Sequence, residues 1–248
     1  MSITILPPVT ITADMITASN VTDATNKMKA FDLSTSTQTT NAGTITYTIA
    51  TGKMTTGVAI LNCEANTVRV RVIDAVDGTV YDKTEKLAGI IPYPDWWTYF
   101  FADVTPATQA LFLDLPSYRG ATVMIDIDAG SGTAKVGVIV LGQQRTLPVT
   151  VQYGASIRAI DFSRKETDDF GDVTFIKRGN SRYVELPCLI PTDMVDAIID
   201  MLADQGLCVW ICDRKTQNLT VYGWYQDLNT VINYPKISDC NIELQRLI

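Results

Sequence analysis

The feature that most restricts how this chain can fold is the strict alternation of apolar and polar side chains. Val68, Val70 and Val72 alternate with Arg69 and Arg71. Only an extended strand with one covered face puts the three valines on one side and both arginines on the other; a helix would scatter them around its circumference. Ile45, Tyr47 and Ile49 against Thr44, Thr46 and Thr48 repeat the pattern. Asp77-Gly78 supplies the φ > 0 residues of a tight hairpin turn, and Thr79-Val80-Tyr81 forms the return strand. Residues 57–63 form a short apolar run, as expected of a strand covered on both faces. Further strands are expected at 96–101, 110–115, 121–128 and 134–141. Pro92, Pro94, Pro106, Pro116, Gly120 and the turn Gly130-Ser131-Gly132 separate them. Short strands at this spacing, with no long helical pattern among them, predict a jelly-roll β-sandwich over 41–142.

The flanks read differently. Residues 1–40 are rich in Thr, Asn, Ser and Asp, begin with Pro7-Pro8, and carry few large apolar groups. They are expected to form an extended arm with short strands or a single helical turn, since alone they bury too little to offset the entropy of ordering. Residues 143–148 read as a linker, and 149–248 as a second, α+β domain. Its strands are expected at 149–153, 156–163, 173–177, 183–189, 207–212, 219–225 and 241–247, with a charged loop or hairpin tip at 164–171. One helix is expected. Thr192 or Asp193 can cap it, Met194, Val195, Ile198, Ile199, Met201 and Leu202 form its apolar stripe, and Gly206 closes it. The fold class expected is therefore mainly β: an N-terminal jelly-roll β-sandwich followed by a β-sheet with one packed helix.

Charge and residue inventory narrow the function classes. Twenty basic against 27 acidic side chains give a formal net charge of −7, which repels a phosphate backbone and argues against a nucleic-acid partner. No window approaches the roughly 18 uninterrupted apolar residues of a spanning helix, and residues 1–8 lack the basic flank of an export signal, so no membrane insertion and assembly in a cytoplasm are expected. The five cysteines, an odd number without a Cys-x-x-Cys pair, agree with that compartment. Histidine is absent. With it go Ser-His-Asp and Cys-His nucleophile pairs, His-ligated zinc, and the usual acid–base group at neutral pH. The chain is expected not to be an enzyme and to need no cofactor.

Three stretches carry a family resemblance. ITADMITASN (11–20) with Thr25-Asn26-Lys27 and Phe31-Asp32, VRVRVIDAVDGTVYD (68–82), and GQQRTLPVTVQYGASIRAIDFSRKETDDFG (142–171) resemble tail-tip or distal-tail (baseplate) structural proteins of tailed bacteriophages. VWICD (209–213) and 222–247 fit the same family's final strands. The resemblance spans nearly the whole chain. It implies a virion component that assembles symmetrically at the distal end of a tail, with a carbohydrate-binding-like jelly roll in its first half. The partners it implies are the tail tube, the hub and copies of the chain itself, and for the jelly roll a host cell-surface glycan.

Four constellations each have a functional and a structural reading. Trp96, Trp97 and Tyr99, with Phe100 and Phe101, would stack on a sugar ring or a partner; alternatively one parity set fills the jelly-roll core. Asp126 and Asp128 before a Gly-rich turn hint at a calcium loop, but Ser131 and Gly137 break the EF-hand pattern, and an ordinary turn accounts for them. Cys188, Cys208, Cys212 and Cys240 could hold zinc or an iron–sulfur cluster. Against this, the sulfurs of Cys208 and Cys212 would stand roughly 13 Å apart along a strand, and buried Cys serves as a small hydrophobe. Arg164, Lys165, Glu166, Asp168 and Asp169 could include an acid–base pair, but charges at a hairpin tip are usually solvated. Their mixed signs suit a contact loop between subunits.

Overall fold

The computed structural model describes residues 2–87, 96–97, 106–167, 172–203, 205–212 and 219–247. The chain is mainly β, with antiparallel pairing throughout, and divides into two compact units: Pro8–Gln144, and Met1–Pro7 together with Arg145–Ile248.

In the first unit, strands β2 (Ile16–Ser19), β3 (Thr39–Ala50), β4 (Gly57–Glu64), β5 (Thr67–Asp74), β6 (Gly78–Lys86) and β7 (Gln109–Phe112) are gathered by one long strand, β8 (Thr122–Gly142). The first part of β8 lies between β3 and β5, and its second part pairs first with the start of β3 and then with β4. One strand therefore serves two sheet halves, β2-β3-β8-β5-β6 and β3-β8-β4-β7. Their inward residues, among them Tyr47, Val70 and Ile125 on one and Ile60, Phe112 and Ile139 on the other, meet in one hydrophobic cluster. This is a β-sandwich.

The sequence splits β8 into two strands at Gly130-Ser131-Gly132, whereas the structure keeps it continuous. Asp128 Oδ1 accepts the Gly130 N–H at 2.7 Å, Gly130 takes φ +65°, and Gly43 on β3 answers with φ +74° where the register jumps. The glycines bend the ladder without ending it. The segment expected as an arm carries short strands and a five-residue helix. Residues 1–40 are shared between the units, and their sparse apolar groups are core: Ile3, Ile5 and Leu6 in the second unit, Ile11, Ile16, Val21 and Phe31 in the first. Helix α1 (Ala24–Met28) is capped by Asp23, whose carboxylate accepts the Thr25 N–H at 2.9 Å. Tyr47 ties this region to the sandwich. Its hydroxyl donates to Lys27 O at 2.9 Å, its ring meets Phe31 edge-on, and burial pushes its phenol up to about 12.

The second unit is one sheet with a helix. Its strands are β1 (Thr4–Leu6), β9 (Arg145–Thr146), β10 (Thr150–Val151), β11 (Ser156–Asp161), β14 (Asn180–Pro191), β15 (Cys208–Ile211), β16 (Thr220–Val231) and β17 (Ile237–Arg246), in the order β10-β14-β17-β16-β15-β1-β9, with β11 also on β14. The end strands β9 and β10 are separated by only three residues, which span at most about 14 Å between Thr146 and Thr150. The sheet must therefore curl until its ends nearly meet. Trp210 lies wholly inside, its Nε1–H donating to Gly223 O at 3.2 Å. The expected helix appears as a 3-10 turn (Thr192–Met194) running into α2 (Val195–Ala203). Val195, Ile198 and Leu202 are buried, but Met194 and Ile199 face solvent. Thr192 does not cap the helix; its hydroxyl bonds Tyr234 O and Ser238 instead.

Removing the tyrosine hydroxyl isolates the tie between α1 and the sandwich. Tyr47→Phe leaves the Lys27 carbonyl unpaired and is expected to cost about 1 kcal/mol in urea unfolding, with the fold retained. An unchanged midpoint would show that the bond contributes nothing.

Candidate functional site

β14 runs past the end of the sheet. From Tyr183 onward it is held by β17, but residues 180–182 pair only with β11, and beyond them a separate two-stranded piece continues outward. This piece is β12 (Arg164–Thr167) on β13 (Val173–Ile176). At the junction Asp161 Oδ1 accepts the Ser163 N–H at 2.9 Å, Ser163 Oγ accepts the Arg178 N–H at 3.1 Å, and Phe162 N–H reaches Gly179 O at 3.3 Å. Two residues thus oppose three, a bulge that bends one continuous ribbon built from β11-β12 and β13-β14. From Ala159 to Thr167 it extends at most about 26 Å.

The ribbon is exposed on both faces. Register places Lys165, Phe175 and Val173 on one face and Arg164, Glu166, Ile176 and Thr174 on the other. Phe175 is 65 % exposed and Val173 55 %, and Ile157, Phe162 and Ile176 are exposed as well. A two-stranded ribbon is marginal in water by itself, and this one carries apolar side chains with nothing over them among the described residues. Arg164 Nε and Glu166 Oε1 form a solvated ion pair at 3.1 Å. Of the five residues expected as a contact loop, Arg164, Lys165 and Glu166 stand on β12, while Asp168 and Asp169 lie outside the described residues. The sequence read 164–171 only as a charged loop or tip. The strand half of it, and the apolar character of the opposing β13, emerge only when the two are paired.

Trp96 and Trp97 are not on a strand. Their backbone is helical and their side chains are 79 % and 72 % exposed, so neither parity set enters the core at these two positions. Tyr99, with Phe100 and Phe101, lies outside the described residues. Asp126 and Asp128 are already engaged: Arg71 Nη2 meets Asp126 Oδ2 at 2.6 Å, and Asp128 holds the Gly130 bend. Cys188, Cys208, Cys212 and Cys240 are buried in the second unit's core, where no cluster of three metal-binding side chains forms among the described residues. Burial pushes the Cys188 and Cys208 thiols up to about 12, which keeps both protonated at neutral pH while the sheet is closed. A feature that sequence reasoning missed is an open groove of about 610 Å³ in the same unit, walled by Leu189, Tyr234, Pro235 and Ile237 with Lys236 and Asp239 at its rim. Its walls come from β14, the start of β17 and the turn before it, which no single stretch of sequence announces.

The geometry thus defines a two-unit β protein with a projecting ribbon. No protein-family model matches the chain. No curated protein matches it either. Two solved structures are similar to part of it. One is a selenomethionine-labelled point mutant of chitosan-binding module 1 from a Paenibacillus sp. IK-5 chitosanase/glucanase, at 10 % identity and TM-score 0.37, covering 56 % of this chain and 99 % of that one. The other is the same module without the label, at 13 % identity and TM-score 0.34, covering 52 % of this chain and 96 % of that one. A likeness this slight carries no argument about ligand or function.

Brief trypsin treatment of dilute protein is expected to cut first at Arg164, Lys165, Lys177 or Arg178, because proteases need locally opened chain. First cleavage at Arg69 or Arg71 within the sandwich would contradict the reading of the ribbon as a poorly supported segment.

Proposed function

We propose that this chain is a non-catalytic structural protein that assembles in several copies, as a component of a tailed-bacteriophage tail tip, with the ribbon as its contact between subunits. The observation that carries this reading is the ribbon itself: an extended pair of strands, marginal in water by itself, that presents Phe175 and Val173 to solvent beside alternating charges. The resemblance of 11–20, 68–82 and 142–171 to tail-tip proteins supplies the kind of particle, and hence a virion location after assembly in a host cytoplasm. Contact partners would be copies of the chain, the tail tube and the hub. The lack of histidine, and the engagement of Asp126, Asp128 and Glu166 in structural pairs, support a role without turnover.

The double substitution Val173→Asp with Phe175→Asp tests the contact. Both positions are exposed, so circular dichroism is expected to be unchanged while light scattering shows a multimer for the parent protein and a monomer for the variant. A variant that assembles like the parent would refute the ribbon's role.

A second reading rests on Trp96 and Trp97. Two adjacent indoles this exposed offer stacking surface to a sugar ring, which would make the first unit a module for recognising a host cell-surface glycan during adsorption. Calorimetric titration with host polysaccharide fragments is expected to show binding heat that Trp96→Ala with Trp97→Ala abolishes. Absence of heat from the parent protein at millimolar sugar would remove this reading.

A further inference from the structure

Cys188 and Cys240 face each other across β14 and β17. No other two cysteines share a register position among the described residues. The kind of pair they form can be read from their neighbours. Gln152 N–H donates to Pro187 O at 2.8 Å, so Pro187 turns its backbone polar groups toward β10. Thr192 N–H donates to Lys236 O at 3.1 Å, so the even-numbered residues of β14 turn theirs toward β17. Cys188 is even-numbered, and Cys188–Cys240 is therefore a hydrogen-bonded antiparallel pair, for which the Cα atoms stand about 5.5 Å apart. That separation falls within the range of a disulfide, while the Cβ atoms of a hydrogen-bonded pair stand farther apart than most disulfides have them, which makes a bond formed there readily reducible. Both side chains point into the same buried cluster, and burial, with a smaller contribution from Cys240, raises the Cys188 thiol's pKa. Beside them stands Thr230, opposite Cys240 on β16; burial raises the Cys240 thiol's pKa, and the Thr230 hydroxyl works against that rise.

We propose that Cys188 and Cys240 form a redox-active dithiol that closes to a disulfide between the strand leading into the ribbon and the centre of the sheet. The oxidant is a low-molecular-weight disulfide such as oxidised glutathione. One thiol loses its proton and attacks a reagent sulfur, releasing one reduced glutathione. The second thiol then loses its proton and attacks the mixed disulfide, releasing another. Two protein S–H bonds become one S–S bond, and the reagent disulfide is reduced to two thiols. Because both thiols are buried, attack requires local opening of β14 from β17, and the reaction is slow in the closed sheet.

The test is intact-mass and peptide-mapping spectrometry of the full chain after equilibration with oxidised glutathione in mild urea, followed by refolding. The expected product has lost two hydrogens, carries no glutathione, and yields one cross-linked peptide pair joining Cys188 to Cys240; dithiothreitol restores the parent mass. Cys63→Ala is expected to form the same link, and Cys240→Ser to stop at a single glutathione adduct. Persistent adducts on the parent protein, a link through Cys208 or Cys212, or full retention of both thiols would overturn the proposal. None of these outcomes depends on whether the chain assembles.

Discussion

Every strand offers backbone donors and acceptors on two sides, and the free edges of a sheet must be closed, covered or lent to another chain. Both units meet this obligation by curvature. In the sandwich, β8 is paired on both sides along its first third and then passes from β3 to β4, so that one strand stitches two sheet halves over a common core. In the second unit the sheet curls until β9 and β10, its two ends, lie within three residues of each other along the chain. Among the described residues β2, β6 and β7 remain as edge strands of the sandwich, and the ribbon projects beyond the sheet of the second unit.

Curvature of this kind needs particular residues. Gly130 and Gly43 allow the bend in β8 through positive φ. A second device sits where Asn62, at φ 52°, opposes Gly137: a side chain at 137 would stand 2.8 Å from the Asn62 Cβ. Inward positions shift there on both strands, from Val58 and Ile60 to Cys63 on β4 and from Ile139 and Leu141 to Ala134 and Val136 on β8. A left-handed residue facing a glycine thus turns both strands together while keeping their pairing intact. The second unit gains its closure from Ile3 and Ile5, which fill its interior from β1 and are worth roughly 1.5–3 kcal/mol each by burial.

How much of this the sequence discloses depends on distance along the chain. Alternation alone located β5 and the second half of β3, because a half-buried strand writes its period into consecutive residues. The hairpin at Asp77-Gly78 is legible for the same reason, and Gly78 takes φ +73° as the turn requires. The role of residues 3–6 is not legible: three residues carry too little pattern, and Thr4 pairs with Ile211, some two hundred positions away. Continuity of β8 was hidden because a glycine turn and a glycine bend have the same composition. At the candidate site, the charges of 164–166 were plain in sequence, but the exposure of Phe175 and Val173 was not. A Val-Thr-Phe-Ile run reads as core until its register shows nothing on either side. The Trp96-Trp97 pair misled in the opposite sense, since a run of aromatics in a β-rich region reads as a core strand.

The account therefore turns on whether another molecule covers the ribbon. Amide hydrogen exchange, measured on the same protein at low and at high concentration, addresses this directly. If copies of the chain pair through the ribbon, amides at 164–167 and 173–176 exchange quickly when dilute and become protected when concentrated, while those of β14 and β17 inside the sheet stay slow throughout. Ribbon amides that remain equally fast at every concentration would contradict the account.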